Sequence, residues 1–564
     1  MPATTKIWDY LIVTAANDQQ AEAYEIQIRR RHQAGELPQV RNCLVIADID
    51  GKRIGSGGST LHCLASVLRK ERSGAGALSF EEAETILRRL RILIVHAGGD
   101  SRRLPAYCHC GKIFVPVPVK GQPSVASTLF DRLVPAFFAL PETPQGQVVI
   151  ASGDALILFD PLIVNLGRPG ITALGSFAPA KEASHHGVFC ANRDGSVRRF
   201  LQKPSPQAQA AAGAMHDGGD SVLDIGVMSC DAGAAVQLMR AFLTAGGEQP
   251  DSAETGEPGL LWKTDSSRAL YSKGIDLYRE ICCALGTETT LEQYADSVRA
   301  SGSSIDGELL AQWFGFLHQI PFNLDILPRC KFLHFGTTRQ LITSGLALLA
   351  EDSGQPAKTC LILNSAIESA IAGDHLWIEG CCVKGGLALE GFNALVGLDL
   401  AEPLSLRKGA CLDMSAGSGR KGEKVWFLRY YDIDDTFKHS AQAGGTFCGL
   451  PLGNWMDAVG ASVADIWPPE LQEGERTLWN ARVFPAIQEH QNFCDWLWLL
   501  QVQSANAKQK NSFLAADRYS SSEIAVRVDQ AQFHARRCGI RPAPMPLGSG
   551  ARTSAPACIA VDNV

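Results

Sequence analysis

The junction between a buried apolar run and a glycine pair constrains this chain more than any other feature. Ile92–Val95 predicts a buried strand, and two glycines follow at 98–99. Arg102 and Arg103 come next, and Lys112 stands nine residues after Arg103. Backbone amides opened by glycine, with three fixed cations beside them, are typical of a loop that holds a polyphosphate. An ordinary strand and turn with solvated arginines is the alternative interpretation.

Strands and helices alternate on both sides of this junction. A glycine-rich run at 55–60 is predicted to be a loop, from which a helix opens at Leu61. The alternation favours a Rossmann-like α/β architecture, a parallel sheet with helices on both faces. The apolar strands are predicted at 8–16, 43–47, 92–95 and 148–151.

The sequence pattern changes near Leu361. Apolar residues and glycines then recur every five or six positions, as in Ile378–Gly380 and Val383–Gly385. This rhythm resembles the short repeats of a parallel β-helix, and a plain β-meander is the alternative. The chain is therefore predicted to have four parts: an α/β domain at 1–345, a β-helix-like domain at 346–445, a mainly helical segment at 446–540 and a disordered tail at 541–564.

Charge and hydropathy exclude several classes of protein. A formal net charge of -7 argues against a nucleic-acid-binding protein, whose surface would be basic. No apolar stretch approaches the ~18 residues of a membrane span, and the first residues lack a signal core. The 17 cysteines are scattered, so we expect mostly buried free thiols in the cytoplasm. Cys108–Cys110 has too few ligands at zinc spacing to favour a metal site.

Three further residues carry candidate chemistry. Asp154 follows an apolar strand and Gly153, where an Mg²⁺ ligand is favoured over a helix N-cap. Lys203 precedes a proline, which favours an extended backbone at Lys203; a solvated surface lysine is the alternative. Asp224 stands inside an apolar strand, where an unpaired carboxylate is costly. We expect it to bond to backbone amides or to substrate hydroxyls.

Motifs spread from about Trp8 to about Arg537 carry a family resemblance. They are Gly55–Thr60, His96–Pro105, Gly111–Phe114, Ser152–Asp154, Ser184–Val188, Leu201–Pro204, Leu223–Gly226, Phe332–Gly336 and Asp434–Lys438. Together they resemble the GDP-L-fucose pyrophosphorylases, most closely the N-terminal part of bifunctional fucokinase/GDP-fucose pyrophosphorylases. The resemblance implies that 1–345 is a nucleotidyltransferase catalytic domain.

The resemblance also implies a reaction and a set of roles. GTP and β-L-fucose 1-phosphate would give GDP-L-fucose and pyrophosphate, with Mg²⁺ as cofactor. Arg103 and Lys112 would hold the triphosphate, Lys203 the sugar phosphate and Asp154 the metal, whereas Gly187 and Asp224 would face the sugar. The nucleotide would contact Gly55, Ser56, Gly57, Gly58, Ser59, Thr60, Gly98, Gly99, Asp100, Ser101 and Arg102. Whether 55–60 meets phosphate or base stays open.

Two positions depart from the family pattern. Gln202 stands where sugar nucleotidyltransferases often carry Glu before Lys-Pro, so no charge-dependent role is assigned to it. Glu280 stands where the family has Asp, so as a second metal ligand it competes with Asp276. A kinase phosphate loop is missing: Gly548–Gly550 is the one late candidate, so we expect no fucokinase activity.

Other functions remain compatible with the sequence. Another sugar-1-phosphate nucleotidyltransferase would use loops of the same kind with a different base or sugar. A non-catalytic β-helix scaffold is disfavoured because Arg103, Lys112 and Asp154 are all present. A β-helix acyltransferase is disfavoured because His375 stands alone.

Overall fold

A nine-stranded mixed sheet occupies the first half of the chain. The computed structural model describes residues 7–72, 78–118, 127–244, 273–353, 359–441, 443–540 and 559–560. The sheet contains the first ten strands except β5. These strands are β1 (Trp8–Ala15), β2 (Val40–Ala47), β3 (Arg91–His96), β4 (Gln147–Ser152), β5 (Ala155–Leu158), β6 (Ile171–Pro179), β7 (Gly187–Ala191), β8 (Val197–Gln202), β9 (Asp220–Cys230) and β10 (Phe322–Leu327).

The topology of this sheet brings three strand ends to one edge. β2, β1, β3 and β4 are adjacent and parallel, so the carboxyl ends of β1, β3 and β4 meet where ligands of open α/β sheets bind. β9 runs antiparallel between β4 and β6, so the sheet is mixed, whereas the sequence predicts a parallel sheet. Leu11 and Val13 pack into one core, and Tyr10 and Ile12 into another, which covers both faces.

Helices and short connections separate these strands. They are α1 (Asp18–Gln33), α2 (Gly55–Glu71), α3 (Phe80–Leu87), α4 (Leu129–Phe138), α5 (Ala180–Ala183), α6 (Pro206–Ala211), α7 (Ala232–Thr244), α8 (Cys283–Leu285), α9 (Leu291–Ala300), α10 (Gly307–Leu317) and α11 (Thr338–Ser353). The Ser79 hydroxyl accepts from the N–H of Glu82, and the Glu82 carboxylate accepts from the N–H of Ser79. This confirms the capping box that the sequence predicts for α3.

The glycine-rich run at 55–60 is helical, and its prediction as a loop is wrong. α2 begins at Gly55, and its first amides are satisfied from outside the helix: Gly57 and Gly58 both donate to the carbonyl of Ile275. A Cβ at Gly57 would lie 2.9 Å from the Ile275 side chain. The glycines therefore allow the backbone at Ile275 to lie directly against the start of the helix.

The second half of the chain contains three parallel sheets, and consecutive strands pass from one sheet to the next. Each strand pairs with the strand three further along, as β12 with β15 and β15 with β18. The strands are β11 (Lys331–His334), which pairs with β5, then β12 (Cys360–Leu363), β13 (Ala366–Ile367), β14 (Ile371–Ala372), β15 (Leu376–Glu379), β16 (Cys382–Val383), β17 (Leu387–Leu389), β18 (Ala394–Val396), β19 (Asp399–Leu400), β20 (Leu404–Leu406) and β21 (Ala410–Ser418).

The remaining residues combine strands and short helices. β22 (Lys424–Asp432) pairs antiparallel with β21 and extends the first of the three sheets. Beyond it lie β23 (Thr446–Phe447), β24 (Leu450–Pro451), α12 (Leu452–Val459), α13 (Val463–Ile466), β25 (Phe484–Ile487), α14 (Ala507–Ala515), β26 (Arg518–Tyr519), α15 (Ser521–Ala525), α16 (Gln530–Ile540) and β27 (Ile559–Ala560). One buried cluster extends from Trp8 to Phe533 and joins both halves. The predicted domain boundaries stay predictions, and the predicted disorder at 541–564 falls almost wholly outside the described residues.

Candidate functional site

The loop after β3 has an exposed backbone at its two glycines. Gly98 is exposed, and Gly99 has a φ of 138° with no atom within 4 Å of where a Cβ would be. The Thr14 hydroxyl accepts from the N–H of Ala97 at 3.1 Å and fixes the start of the loop. Ser101 is buried with a φ of 49°, a strained conformation for a residue other than glycine. The loop is thus held rigidly with its glycine backbone open at the sheet edge.

Two of the predicted nucleotide residues pair with each other. The Asp100 carboxylate contacts the guanidinium groups of Arg102 and Arg53, each at 2.7 Å. Burial alone would raise the pKa of Asp100, but these two guanidinium groups hold it below its usual value. Asp100 therefore serves to fix two arginines beside the loop.

Arg103 and Lys112 converge on one glycine. A Cβ at Gly336 would lie 3.8 Å from both the Arg103 Nη2 and the Lys112 Nζ. Lys112 also lies 3.6 Å from a carboxylate oxygen of Asp154. Arg103 is exposed, and within the described ranges no carboxylate forms an ion pair with it. The structure thus brings together the cations that the sequence separates by nine residues.

Asp154 lies in the turn between β4 and β5. Its side chain is 59% exposed, and Oδ1 accepts from the Ser152 hydroxyl at 2.8 Å. Burial of the turn raises the pKa of Asp154, but Lys112, Ser152 and His334 outweigh that effect and lower it. The group is therefore an ionised carboxylate with room for a further ligand.

Lys203 lies next to the histidines of two family motifs. Its φ is 49°, so the predicted extended backbone is wrong: the Lys203 N–H turns back to donate to the carbonyl of His186 at 3.0 Å. The rings of His186 and His334 lie 5.9 Å apart. Burial lowers the pKa of His186, and His334 and Lys203 lower it further against the opposing effect of Asp154. The charges of Lys203 and Asp154 thus both act on the His186 imidazole, in opposite directions.

Asp224 is buried in the middle of β9, as its sequence context predicts. Its carboxylate accepts one hydrogen bond, from the N–H of Gly226 at 3.1 Å. Burial raises the pKa of Asp224 to about 7, and that single bond opposes the rise. Tyr278 lies close by, because a Cβ at Gly226 would be 3.6 Å from its hydroxyl and 3.1 Å from the Cβ of Ser152. The carboxyl group has unused hydrogen-bonding capacity near the Ser152–Asp154 turn.

Gly187 has a packing role in the structure. A Cβ there would lie 2.2 Å from the ring of Phe200 on the neighbouring strand. Gly187 begins β7 and is buried. The glycine is therefore required by the aromatic ring that crosses it, whatever it contacts in a complex.

The polar residues of the 55–60 run are already paired. Ser59 donates to Asp48 at 2.5 Å, and the Thr60 hydroxyl contacts both the Ser56 carbonyl and the His96 ring at 2.9 Å. Ser59 and Thr60 are buried, and the amides of the glycines face Ile275. The structure therefore does not present this run as a phosphate cradle.

Glu280 is placed unlike a metal ligand. It is fully buried, with one oxygen held by Arg279 at 2.6 Å and the other by the N–H of Asp276 at 2.7 Å. Asp276 accepts two backbone N–H groups on one oxygen and the Ser56 hydroxyl on the other. The described part of the chain has no group of three or more His, Cys, Asp or Glu placed to share a metal ion. Glu280 is thus a structural group in this conformation.

Comparison with known proteins identifies the family. Residues 84–489 match the fucose pyrophosphorylase domain family. The chain belongs to this family. Its match covers the cation-bearing loop, the Asp154 turn and the parallel strands of the second half.

Named relatives agree with this assignment. The chain is 26% identical over 93% of its length to a bifunctional fucokinase/GDP-fucose pyrophosphorylase of Arabidopsis thaliana, of which it covers 51%. It is 25% identical over 87% of its length to an L-fucokinase/L-fucose-1-P guanylyltransferase of Bacteroides fragilis, of which it covers 47%. It is also 25% identical to a human fucose-1-phosphate guanylyltransferase, of which it covers 82%. The chain thus spans about half the length of the bifunctional relatives.

One cation of this fucose pyrophosphorylase domain was not foreseen from the sequence. Lys438 comes from the turn after β22 and is exposed, and its ammonium group lies within electrostatic range of Arg103, Lys112, Arg53 and Arg102. Burial lowers the pKa of Lys438 first, and these four cations lower it further. The Asp434–Lys438 motif was the sequence signal that could have pointed to Lys438, although its position along the chain could not show that it packs near Arg102 and Arg103.

None of the helices in the described ranges combines the length and apolar character of a membrane crossing.

Proposed function

We propose that this chain transfers GMP from GTP to β-L-fucose 1-phosphate, giving GDP-L-fucose and pyrophosphate. The observation that carries the proposal is the convergence of Arg103, Lys112 and Asp154 at one edge of the sheet. The cations Arg103 and Lys112 can bind the negatively charged triphosphate, and the ionised carboxylate of Asp154 can bind the metal ion that accompanies it. The names of the relatives supply the guanine and the fucose.

The chemistry needs charge neutralisation and alignment more than a general base. The attacking group is the phosphate of the sugar, which is already an anion, so no proton has to be removed from the nucleophile. Arg103 and Lys112 neutralise charge on the triphosphate and on the departing pyrophosphate. The open backbone at Gly99 holds phosphate oxygens, whereas the Gly98 N–H already donates to the Thr14 hydroxyl at 3.4 Å, and the fixed Arg102 borders this loop. The displacement takes place in line at the α-phosphorus.

Asp154 is the residue that fits a magnesium ion. Its exposed carboxylate uses one oxygen for Ser152 and leaves the other 3.6 Å from Lys112, with positions free for a cation. Mg²⁺ commonly uses one or two carboxylates together with substrate phosphates, so a single protein carboxylate suffices. When bound, Mg²⁺ would neutralise negative charge on the triphosphate. Glu280, with both oxygens occupied, is not part of this site.

The sugar phosphate is assigned to the side of the site that β7, β8 and β9 form. Lys203 holds its phosphate, and its strained backbone is fixed by His186. Asp224 receives the fucose hydroxyls, since its carboxyl group has one internal hydrogen bond and can accept or donate more. These roles follow the family resemblance and agree with the positions of both side chains.

We also propose that the three parallel sheets of the second half are the three faces of a β-helix. Consecutive strands pass from one sheet to the next, and each stacks on the strand three further along. We assign the reaction to the cytoplasm, because the described cysteines are free thiols and most are buried.

A coupled assay tests the function. Purified protein with GTP, Mg²⁺ and fucose 1-phosphate is expected to release pyrophosphate and to form GDP-fucose, measured by chromatography. Lys112→Ala is expected to lower kcat/KM by about a hundredfold or more. Lys421→Ala, an exposed lysine in the turn between β21 and β22, is the matched control.

The same assay compares substrates. GTP with fucose 1-phosphate is expected to exceed the other nucleoside triphosphates and several other sugar 1-phosphates in kcat/KM. Equal rates for wild type and Lys112→Ala, or a clear preference for another pair of substrates, would contradict the proposal.

A further inference from the structure

The turn that carries Lys438 is fixed by its own acidic residues. The Asp435 carboxylate accepts from the N–H groups of Asp432 and Cys448, each at 2.7 Å. Asp434 forms a bidentate ion pair with Arg339. Side chains of the motif thus fix the turn that carries Lys438, and Lys438 itself is exposed.

The same turn is joined to the phosphate-binding loop on two sides. The carbonyl of Phe437 accepts from the N–H of Trp479 at 3.2 Å, and the Arg102 guanidinium lies 5.9 Å from the Trp479 ring. On the other side, Thr338 precedes the Arg339 that binds Asp434, and its N–H donates to the carbonyl of Arg103 at 3.2 Å. Lys438 is therefore placed beside Arg102 and Arg103 by contacts on both of its flanks.

The charges around Lys438 are unbalanced. Arg53 and Arg102 share the carboxylate of Asp100, Lys112 lies 3.6 Å from Asp154, and Asp434 of the turn is already paired with Arg339. Among the described residues no carboxylate forms an ion pair with Lys438. Gathering cations without a partner costs free energy unless an anion is bound between them. A ligand with several negative charges is the group that this arrangement suits.

We propose that Lys438 binds the triphosphate of the nucleotide, so that the second half of the chain supplies a residue of the catalytic site. The proposal rests on the proposed function for the identity of the nucleotide. It adds that the cleft is complete only when the turn at 432–439 is docked on the loop of Arg102 and Arg103.

The first test measures anion binding without turnover. Calorimetry with inorganic tripolyphosphate compares wild type, Lys438→Met, Lys438→Arg and Lys421→Met. A charge-assisted hydrogen bond contributes enough that Lys438→Met is expected to weaken binding by about tenfold or more. Lys438→Arg is expected to retain most of the affinity, and Lys421→Met all of it. Unchanged affinity in Lys438→Met would overturn the proposal.

The second test separates this residue from the sugar side of the site. Lys438→Met is expected to raise the KM for GTP by about tenfold or more and to leave the KM for fucose 1-phosphate within about twofold. Its thermal midpoint is expected to equal or exceed that of wild type, because a like-charge contact is removed. An equal rise in both KM values, or a lowered midpoint without rescue by Lys438→Arg, would assign Lys438 a structural role instead.

The two proposals can fail separately. If wild type makes no GDP-fucose but loses tripolyphosphate affinity on Lys438→Met, the assigned reaction is wrong and the role of Lys438 stands. If wild type makes GDP-fucose and Lys438→Met keeps its kinetics and affinity, the reaction stands and the role of Lys438 is wrong.

Discussion

A buried carboxyl group with one hydrogen bond responds strongly to pH, and Asp224 is such a group. Burial raises its pKa to about 7 in the folded chain, whereas an unfolded aspartate titrates near ~3.9. Between these values the folded state keeps a proton that the unfolded state has released. The contribution of Asp224 to stability is therefore greatest below ~4 and is lost as the pH rises toward about 7.

Asp224→Asn removes this dependence. Relative to wild type, the variant is expected to gain about 2 kcal/mol in free energy of unfolding between about pH 5 and about pH 8. Urea denaturation at the two pH values measures the difference. Asp220→Asn, at the partly exposed start of the same strand, is the control. A gain that does not change with pH would show that Asp224 is ionised in the folded chain.

Lys203 combines the side chain that we assign to the sugar phosphate with a strained backbone. Its φ of 49° disfavours any residue other than glycine, so Lys203→Gly is expected to be more stable than Lys203→Ala by roughly 1 kcal/mol. Both variants lose the ammonium group, and both are expected to raise the KM for fucose 1-phosphate by about tenfold. Thermal unfolding and initial rates measure the two effects. Equal stability of the two variants would mean that the strain is relieved elsewhere.

Residue identity could be predicted better than residue conformation. The sequence identifies Asp224 as a buried carboxylate because an acidic residue in the middle of an apolar strand is buried together with its neighbours. It does not reveal the positive φ of Lys203, since the proline that follows favours the opposite conformation. That conformation is set by the hydrogen bond to His186, a residue on another strand end.

At the scale of elements, the first turn of α2 is a close contact between two backbones. A Cβ at Gly57 would lie 3.0 Å from the carbonyl oxygen of Ile275, so Gly57→Ala is expected to lower the free energy of unfolding by about 1–3 kcal/mol. Gly315 lies in α10, exposed and with no atom within 4 Å, so Gly315→Ala is expected to raise it by about 0.5–1 kcal/mol. Denaturant unfolding of both variants checks the opposite signs. Stabilisation by both alanines would disprove the close contact.

Local signals define elements where the partners are close in sequence. The two residues of the capping box, Ser79 and Glu82, are three positions apart, and the structure confirms the motif. The 55–60 run is different, because its glycines are explained by Ile275, more than two hundred residues away. A glycine pattern indicates that a close approach exists, but it does not say whether a ligand or the chain itself makes that approach.

At the scale of the whole molecule, buried ion pairs connect the site to the second half. Glu379 in β15 accepts from Arg537 of α16 at 2.6 Å and from the Tyr107 hydroxyl at 3.2 Å. Tyr107 lies between Arg103 and Lys112 in the sequence, and Trp377 donates to its hydroxyl. The segment between Arg103 and Lys112 is thus held by the β-strands of the second half. The sequence could not predict this link, since nothing in a single strand or helix marks its partner.

A double-mutant cycle on this network tests whether the two halves act as one unit. Arg537→Met leaves the Glu379 carboxylate buried without its cation and is expected to cost about 3–5 kcal/mol. Glu379→Gln combined with Arg537→Met removes both charges, so it is expected to recover about half of that loss. Arg29→Met breaks an exposed pair with Glu25 and is expected to change stability by less than about 1 kcal/mol.

The cycle also has a functional readout at temperatures where every variant is folded. Tyr107 and Arg537 donate to the same oxygen of Glu379, so we expect Arg537→Met to shift Tyr107. The kcat/KM for GTP is then expected to fall by about tenfold in Arg537→Met and to recover in part in the double variant. Steady-state kinetics and circular dichroism on the same samples measure both quantities. If stability falls while kcat/KM stays at the wild-type value, the second half stabilises the chain without positioning Arg103 and Lys112, and the site is then set by the sheet edge alone.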